Sequence, residues 1–213
     1  NMSKKRQLHT ATLLLNGKVL VTGGLSYFPD EYHHSAELFD PATGTFSHAG
    51  YLSTNRSFHT ATRLSDGRVL IDQGSSLGPF GVPEPLPAEI YDPATALFAV
   101  SGTPPVSRSS HTTTLLADGT TFNAGGYQTP SSERFDPTSG TYATGPTFST
   151  DHEAASPLLD GRVLLTGGGI ACPESCAGAL YLPASNTVTP TYPMSIGRNA
   201  HTATLLDDGM VLV

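Results

Sequence analysis

Apolar residues in this chain come in short runs, each cut off by a turn pair. Leu13-Leu-Leu15 is followed by Asn16-Gly17 and then Val19-Leu-Val21, Leu64 is followed by Asp66-Gly67 and Val69-Leu-Ile71, and the same order returns around Asp118-Gly119, Asp160-Gly161 and Asp208-Gly209. Runs this short and rich in Thr, Val and Leu are strand-sized, and an Asn-Gly or Asp-Gly pair can supply both left-handed positions of a type I′ hairpin. The pattern therefore predicts that strands one and two of each copy form a hairpin.

Glycines follow strand two (Gly23-Gly24, Gly74, Gly125-Gly126), then a loop of variable length, then a third strand: Ala36-Glu-Leu-Phe-Asp40, Ala88-Glu-Ile-Tyr-Asp92 or Ser132-Glu-Arg-Phe-Asp136. Pro41-Ala-Thr-Gly44, Pro93-Ala-Thr-Ala96 and Pro137-Thr-Ser-Gly140 next mark a second turn, in which proline presets φ and glycine tolerates a left-handed residue. A fourth strand carries Phe46, Phe98, Tyr142 or, in the weakest copy, Val188. His9 and His59 are 50 residues apart, His59 and His111 52, Asp118 and Asp160 42, and Asp160 and Asp208 48, so one template near fifty residues repeats with insertions. Four antiparallel strands per repeat describe a propeller blade.

The predicted fold is all-β, a propeller of four four-stranded blades over residues 2–50, 51–103, 104–146 and 147–192, with the first hairpin of a fifth over 193–213. Met2-Ser3 stands before Arg6 at the spacing with which Met194-Ser195 stands before Arg198, so Met2 reads as a repeat residue and the chain as an open slice of a larger propeller. Blades bury both faces against neighbours, so further repeats or a second chain are expected to close it.

The motif resembles kelch repeats, in the form found in bacterial proteins and in the central propeller domain of galactose oxidase and glyoxal oxidase. The likeness rests on Arg-x-x-His, Asp-Gly, Gly-Gly and Glu-x-Phe/Tyr-Asp-Pro recurring through the chain; it departs from the kelch pattern in the fourth strand, where Phe46, Phe98, Tyr142 and Val188 stand in place of the usual tryptophan. It implies a copper site made with a Tyr-His pair at the repeat histidine. The tyrosine would stand at Leu8, Phe58, Ser110 or Ala200, none of which is tyrosine, and the Tyr–Cys cross-link of that family has no counterpart. No metal, cofactor or catalytic set is therefore assigned.

Composition narrows the functions. A net charge of −7 disfavours nucleic acid and anionic membrane as partners, and no apolar run reaches the about 18 residues of a membrane helix. No Gly-x-Ser-x-Gly elbow, phosphate loop or His-Glu-x-x-His motif is present. Cys172 and Cys176 are the only cysteines; they can close a small loop disulfide, which suits an oxidising compartment, or remain two reduced loop thiols. Structural zinc needs four ligands, and this loop adds only Glu174.

Strand alternation puts the motif arginines and histidines, the glycine doublets and the variable loops on one rim. In the fourth copy Arg, His, Glu and Asp are replaced together, by Thr150, Glu153, Ala179 and Leu182. Joint loss is the behaviour of a buried network, since a buried charge without its partner is costly. The expectation is a same-blade polar clasp in which Arg6, Arg56, Arg108 and Arg198, with His9, His59, His111 and His201, bond to Glu37, Glu89 and Glu133 or to Asp40, Asp92 and Asp136. Binding is expected instead in the rim loops, with Tyr32, His33, His34, Phe80 and Tyr127 as candidates. The functional expectation is non-catalytic recognition of a protein or glycan by an extracellular or periplasmic protein. The alternatives are a fragment of a copper radical oxidase and a structural repeat protein of an extracellular assembly.

Overall fold

The structure is a computed structural model, and residues 1–27, 30–76, 84–148, 154–168, 176–198 and 200–213 are described. The chain divides into two compact units, Asn1–Ser109 and Ser110–Val213.

In the first unit β1 (Thr10–Leu13), β2 (Val19–Thr22), β3 (Leu25–Tyr27), β4 (Asp30–Tyr32), β5 (Ser35–Asp40) and β6 (Thr45–Tyr51) follow one another. They make a four-stranded sheet of order β1-β2-β5-β6, with β3 and β4 as a separate hairpin inside the first variable loop. That small hairpin was not predicted; its strands of three residues are too short to carry a pattern. Then β7 (Thr60–Arg63), β8 (Val69–Asp72), β9 (Ala88–Asp92) and β10 (Leu97–Gly102) form a second sheet in sequence order. Innermost β1 lies beside β7 and outermost β6 beside β10, so the two sheets stack as neighbouring blades.

The second unit repeats the plan. Its first sheet is β11 (Thr112–Leu115), β12 (Thr121–Ala124), β13 (Ser131–Asp136) and β14 (Thr141–Thr147). Its second is β15 (Ala154–Pro157), β16 (Val163–Thr166), β17 (Gly178–Leu182) and β18 (Thr187–Pro190), followed by the hairpin of β19 (Thr204–Leu205) and β20 (Val211–Leu212). Strands β6 and β14 each run one residue past the blade limits expected at 50 and 146.

Strand two of a blade is buried on both faces: all four residues of β8 and of β12 are buried, the polar Asp72, Thr121 and Asn123 included. Leu14, Leu20, Ala36, Ala49, Leu52, Val69, Ile71 and Tyr91 form one core, and Leu116, Phe122, Ala124, Val163, Leu165, Ala179 and Tyr181 another. Each large side chain so buried contributes about 1.5–3 kcal/mol. The fourth-strand aromatics meet third-strand aromatics across the ladder, Phe39 with Phe46, Tyr91 with Phe98 and Phe135 with Tyr142, at ring separations of 4.9, 4.8 and 4.6 Å. In the fifth hairpin Leu212 is 64% exposed, whereas Leu20 at the equivalent position is 1% exposed, because among the described residues that hairpin pairs with no third strand.

The first turn differs from expectation. Leu14 N–H donates to Lys18 O (2.8 Å) and Gly17 N–H to Leu14 O (3.1 Å), and only Gly17 takes a positive φ (81°), while Asn16 does not. This is a longer loop with glycine at its one left-handed position rather than a two-residue type I′ turn. Asn16 serves the turn through its side chain, accepting a hydrogen bond from Lys18 N–H at 3.1 Å; Asp66, Asp118, Asp160 and Asp208 do the same.

Candidate functional site

The motif arginines are structural centres. Arg6 Nη1 donates to Gly23 O (2.8 Å) and Ser35 O (2.9 Å), and its Nη2 to Ser35 Oγ (3.0 Å) and Glu37 Oε1 (2.8 Å). The other oxygen of Glu37 accepts from Ser3 N–H at 2.9 Å. One side chain thus ties together the chain entering the blade, the end of strand two and the start of strand three. The next blade repeats the arrangement: Arg56 Nη1 reaches Gln73 O (3.3 Å) and Pro87 O (3.0 Å), Nη2 reaches Glu89 Oε1 (2.6 Å), and Ser53 N–H reaches Glu89 Oε2 (2.8 Å). Burial opposes ionisation of Glu37, but the Ser3 N–H and the Arg6 guanidinium outweigh it and hold the carboxyl below the usual carboxylate range. Arg108 and Glu133 are also buried, whereas Arg198 is exposed.

The histidines and aspartates do not follow the same-blade expectation. His59 Nε2 lies 3.0 Å from Thr10 Oγ1 and 3.1 Å from Thr22 Oγ1, both on the preceding blade, and the two threonine hydroxyls are 2.7 Å apart. His201 likewise meets Thr166 Oγ1 of the preceding blade at 2.8 Å. The histidine is therefore a link between blades. Its position at the head of strand one faces the neighbour's strands rather than its own third strand. The aspartates lie at the far end of that third strand and cap the second turn: Asp40, Asp92 and Asp136 accept from Ala42, Ala94 and Thr138 N–H at 2.9, 2.8 and 2.8 Å. Asp40 also pairs with Lys18 at 3.2 Å.

The glycine doublet has a matching cause. Gly24 N–H donates to Arg56 O (2.8 Å), and a Cβ on Gly23, at φ 62°, would overlap that same carbonyl and come within 2.8 Å of His59 Cε1. Gly167 faces Arg198 O and His201 in the same way. The doublet is thus where the next blade's Arg-x-x-His segment docks. Leu8, Phe58, Ser110 and Ala200, directly before the repeat histidines, all take φ between 50° and 56°. Nothing in their side chains signals that conformation.

The loop candidates separate. His33 is buried: its Nε2 is 3.1 Å from Lys5 O, which can only accept, so Nε2 carries the proton, and its backbone joins Gly24 and Arg56. Burial, then the nearby positive charges of Arg6 and Lys4, lowers its pKa despite the Lys5 hydrogen bond and Glu31. His33 is therefore part of the scaffold and not of a binding surface. Its neighbour His34 is exposed and packs on the Tyr51 ring at 5.0 Å, as extended backbone sends successive side chains to opposite faces. Tyr32 is half-buried and Tyr127 is exposed. Phe80 and Cys172 lie outside the described residues, and Cys176 is disulfide-bonded.

Two features were missed in the sequence. A pocket of about 220 Å³ on the loop-bearing rim is lined by Lys5, Arg6, Gln7, Leu25, Ser26 and Tyr27, which the antiparallel bridge between Gln7 and Leu25 brings together. An exposed set of rings, His34, His48 and Tyr51, also forms at the end of β6.

The fold so described is a β-propeller fold of four-stranded blades. No family model and no curated protein matches the chain. Among solved structures it is similar to a fungal alcohol oxidase of the AA5 family in complex with copper, with a TM-score of 0.57 at 16% identity, over 98% of this chain and 58% of that one. It is also similar to YjhT, with a TM-score of 0.78 at 13% identity, over 97% of this chain and 76% of that one. The chain spans 58% of the oxidase's length, and at these identities the likeness concerns the fold alone.

At the repeat histidines His59 and His201, the described residues do not fit a copper site of the oxidase kind. His59 and His201 direct Nε2 to threonine hydroxyls of the adjacent blade, and Leu8, Phe58, Ser110 and Ala200 stand where the tyrosine is needed. Among the described residues no group of three or more metal-ligating side chains comes together.

Proposed function

We propose that the chain is a kelch-type, galactose oxidase-like propeller segment that acts as a non-catalytic recognition scaffold, binding a protein or a glycan through its rim loops. The observation that carries this reading is the division of labour among the polar residues. The repeated ones are consumed in the scaffold, Arg6 with Glu37 and Arg56 with Glu89 inside blades, His59 with Thr10 and Thr22 between them. The residues left on the surface near the loops, such as Lys5, Gln7, Tyr27 and His34, belong to single blades and differ from copy to copy. Variable groups on a fixed frame are the usual arrangement for binding.

An extracellular or periplasmic setting is part of the proposal and is supported by the disulfide at Cys176. So is coverage of the fifth hairpin by further repeats or a second chain, supported by the exposure of Leu206 and Leu212 where Leu14 and Leu20 are buried.

The test is to measure binding of the protein, and of its Lys5→Ala, Tyr27→Ala and His34→Ala variants, to immobilised glycans and surface proteins, beside a peroxide-release assay on copper-loaded protein with primary alcohols. The reading expects a ligand whose affinity falls about tenfold in at least one of these rim variants, the scale of a lost aromatic or charged contact. Copper-dependent peroxide release, or binding indifferent to all three variants, overturns it.

A further inference from the structure

The exposed rings at the end of β6 owe their geometry to a bulge. Ser35 pairs with Tyr51 and Glu37 with His48, so two steps along β5 correspond to three along β6, and Gly50 takes up the extra residue at φ 100°. In a regular strand residues three apart point to opposite faces; the bulge turns His48 and Tyr51 to the same one. Their rings are 4.6 Å apart and tilted by 53°, and His34, just before β5, adds a third ring 5.0 Å from Tyr51 at 46°. Tyr51 is 60% exposed, and both histidines are exposed.

The scaffold does not require these aromatics. The same bulge is present in β10 and β14, yet the positions corresponding to His34, His48 and Tyr51 hold Leu86, Val100 and Thr103 in one blade and Pro130, Thr144 and Thr147 in the other. A backbone device common to three blades carries a ring set in only one of them. The register of the ladder accounts for the bulge, and packing does not account for the rings.

We propose that His34, His48 and Tyr51 form a stacking shelf for a neutral glycan, with Tyr51 at its centre. This rests on the recognition reading given above and assigns it a surface and a ligand class. A pyranose presents a face of C–H groups that packs on an aromatic ring, and a rim of hydroxyls that needs hydrogen-bond partners. Two imidazoles and a phenol supply both, since each has an apolar body and a polar tip. Nucleobases also stack on such rings, but they bring phosphates, and this chain carries a net charge of −7.

The experiment is native electrophoresis in gels cast with soluble glucan, mannan, galactan or xylan, using the whole chain and the Tyr51→Ala, Tyr51→Phe, His34→Ala/His48→Ala and Tyr27→Ala variants, with circular dichroism to check that each is folded. Retardation is expected in at least one gel; Tyr51→Ala and the double histidine variant should weaken it about tenfold, and Tyr51→Phe, which keeps the ring, should stay within about threefold. Tyr27→Ala, in the separate pocket, should leave it unchanged. No retardation in any gel, retardation unaffected by Tyr51→Ala, or tighter binding to a single-stranded DNA probe than to any glycan overturns the proposal. Retardation that Tyr27→Ala abolishes and Tyr51→Ala spares overturns the shelf alone and leaves rim recognition standing.

Discussion

Glu89→Ala tests the clasp most directly. The Arg56 side chain is 0% exposed and that of Glu89 2%, with 2.6 Å between Arg56 Nη2 and Glu89 Oε1. Alanine removes that acceptor and leaves the buried guanidinium charge without its carboxylate, with the carbonyls of Gln73 and Pro87 among its remaining acceptors, and it also takes away the acceptor of Ser53 N–H. Removing one partner of a buried pair costs about 3–5 kcal/mol, a large share of the about 5–15 kcal/mol that holds a typical domain together. Glu89→Gln keeps an oxygen for one donor and gives up the charge, so it should cost about 1.5–3 kcal/mol, the range of a charged hydrogen bond. The double variant Arg56→Met/Glu89→Leu removes both charges and should recover most of the loss, because well-packed apolar replacements of buried ion pairs are close to neutral. Urea unfolding followed by tyrosine fluorescence and circular dichroism reads all three. A cost under about 1 kcal/mol for Glu89→Ala, or a double variant as unstable as the single one, would refute the argument that desolvated charge dominates here.

Acid should weaken the protein in two stages. His9 and His33 have pKa values lowered chiefly by burial, so from about pH 6.5 downward the unfolded chain takes up protons that the folded one does not, and stability falls with pH; Arg6 faces both rings, and Lys4 and Glu31 also face His33. Glu37, lowered in the fold, adds a further loss as pH drops through and below the ordinary carboxylate range; urea midpoints that stay flat from pH 7 to about 5 would contradict the histidine assignments, and midpoints flat from about 5 to about 2 the Glu37 one. Ala96→Gly should stabilise by about 0.5–1 kcal/mol: Ala96 is exposed at φ 58° in a turn where Gly44 and Gly140 stand in other blades at 68° and 70°, and relief of that strain exceeds the entropy glycine adds to the unfolded chain. A lowered melting midpoint would count against the strain.

The fold was legible because its signals are local and repeated. Asp-Gly pairs, period-fifty spacing and runs such as Val69-Leu-Ile71 each report on a few neighbouring residues, and five copies average out the noise of any one. The joint replacement of four polar positions in the fourth copy pointed to a same-blade network, of which the structure shows the Arg6–Glu37 and Arg56–Glu89 pairs, while histidine and aspartate are engaged elsewhere. The histidine partners were not legible. Thr10 and Thr22 lie 49 and 37 residues from His59, and nothing along the chain distinguishes a threonine that faces the next blade from one that faces solvent. His33 and His34 are adjacent in sequence, and only the placement of the first loop decides which of them is buried.

The sequence by itself determined the strand order, where the two turns of each blade fall and the pairing of arginine with glutamate in the first two blades, since these depend on backbone propensity and on a pattern repeated in register. Tertiary structure alone decided what each polar residue touches: that histidine joins blades while arginine braces its own, that the first glycine yields room to the next blade's carbonyl, and that one residue of bulge brings His48 beside Tyr51. The physical reason is that hydrogen bonds and ring contacts act over about 3–5 Å in space, and the neighbours that satisfy them arrive only when sheets stack.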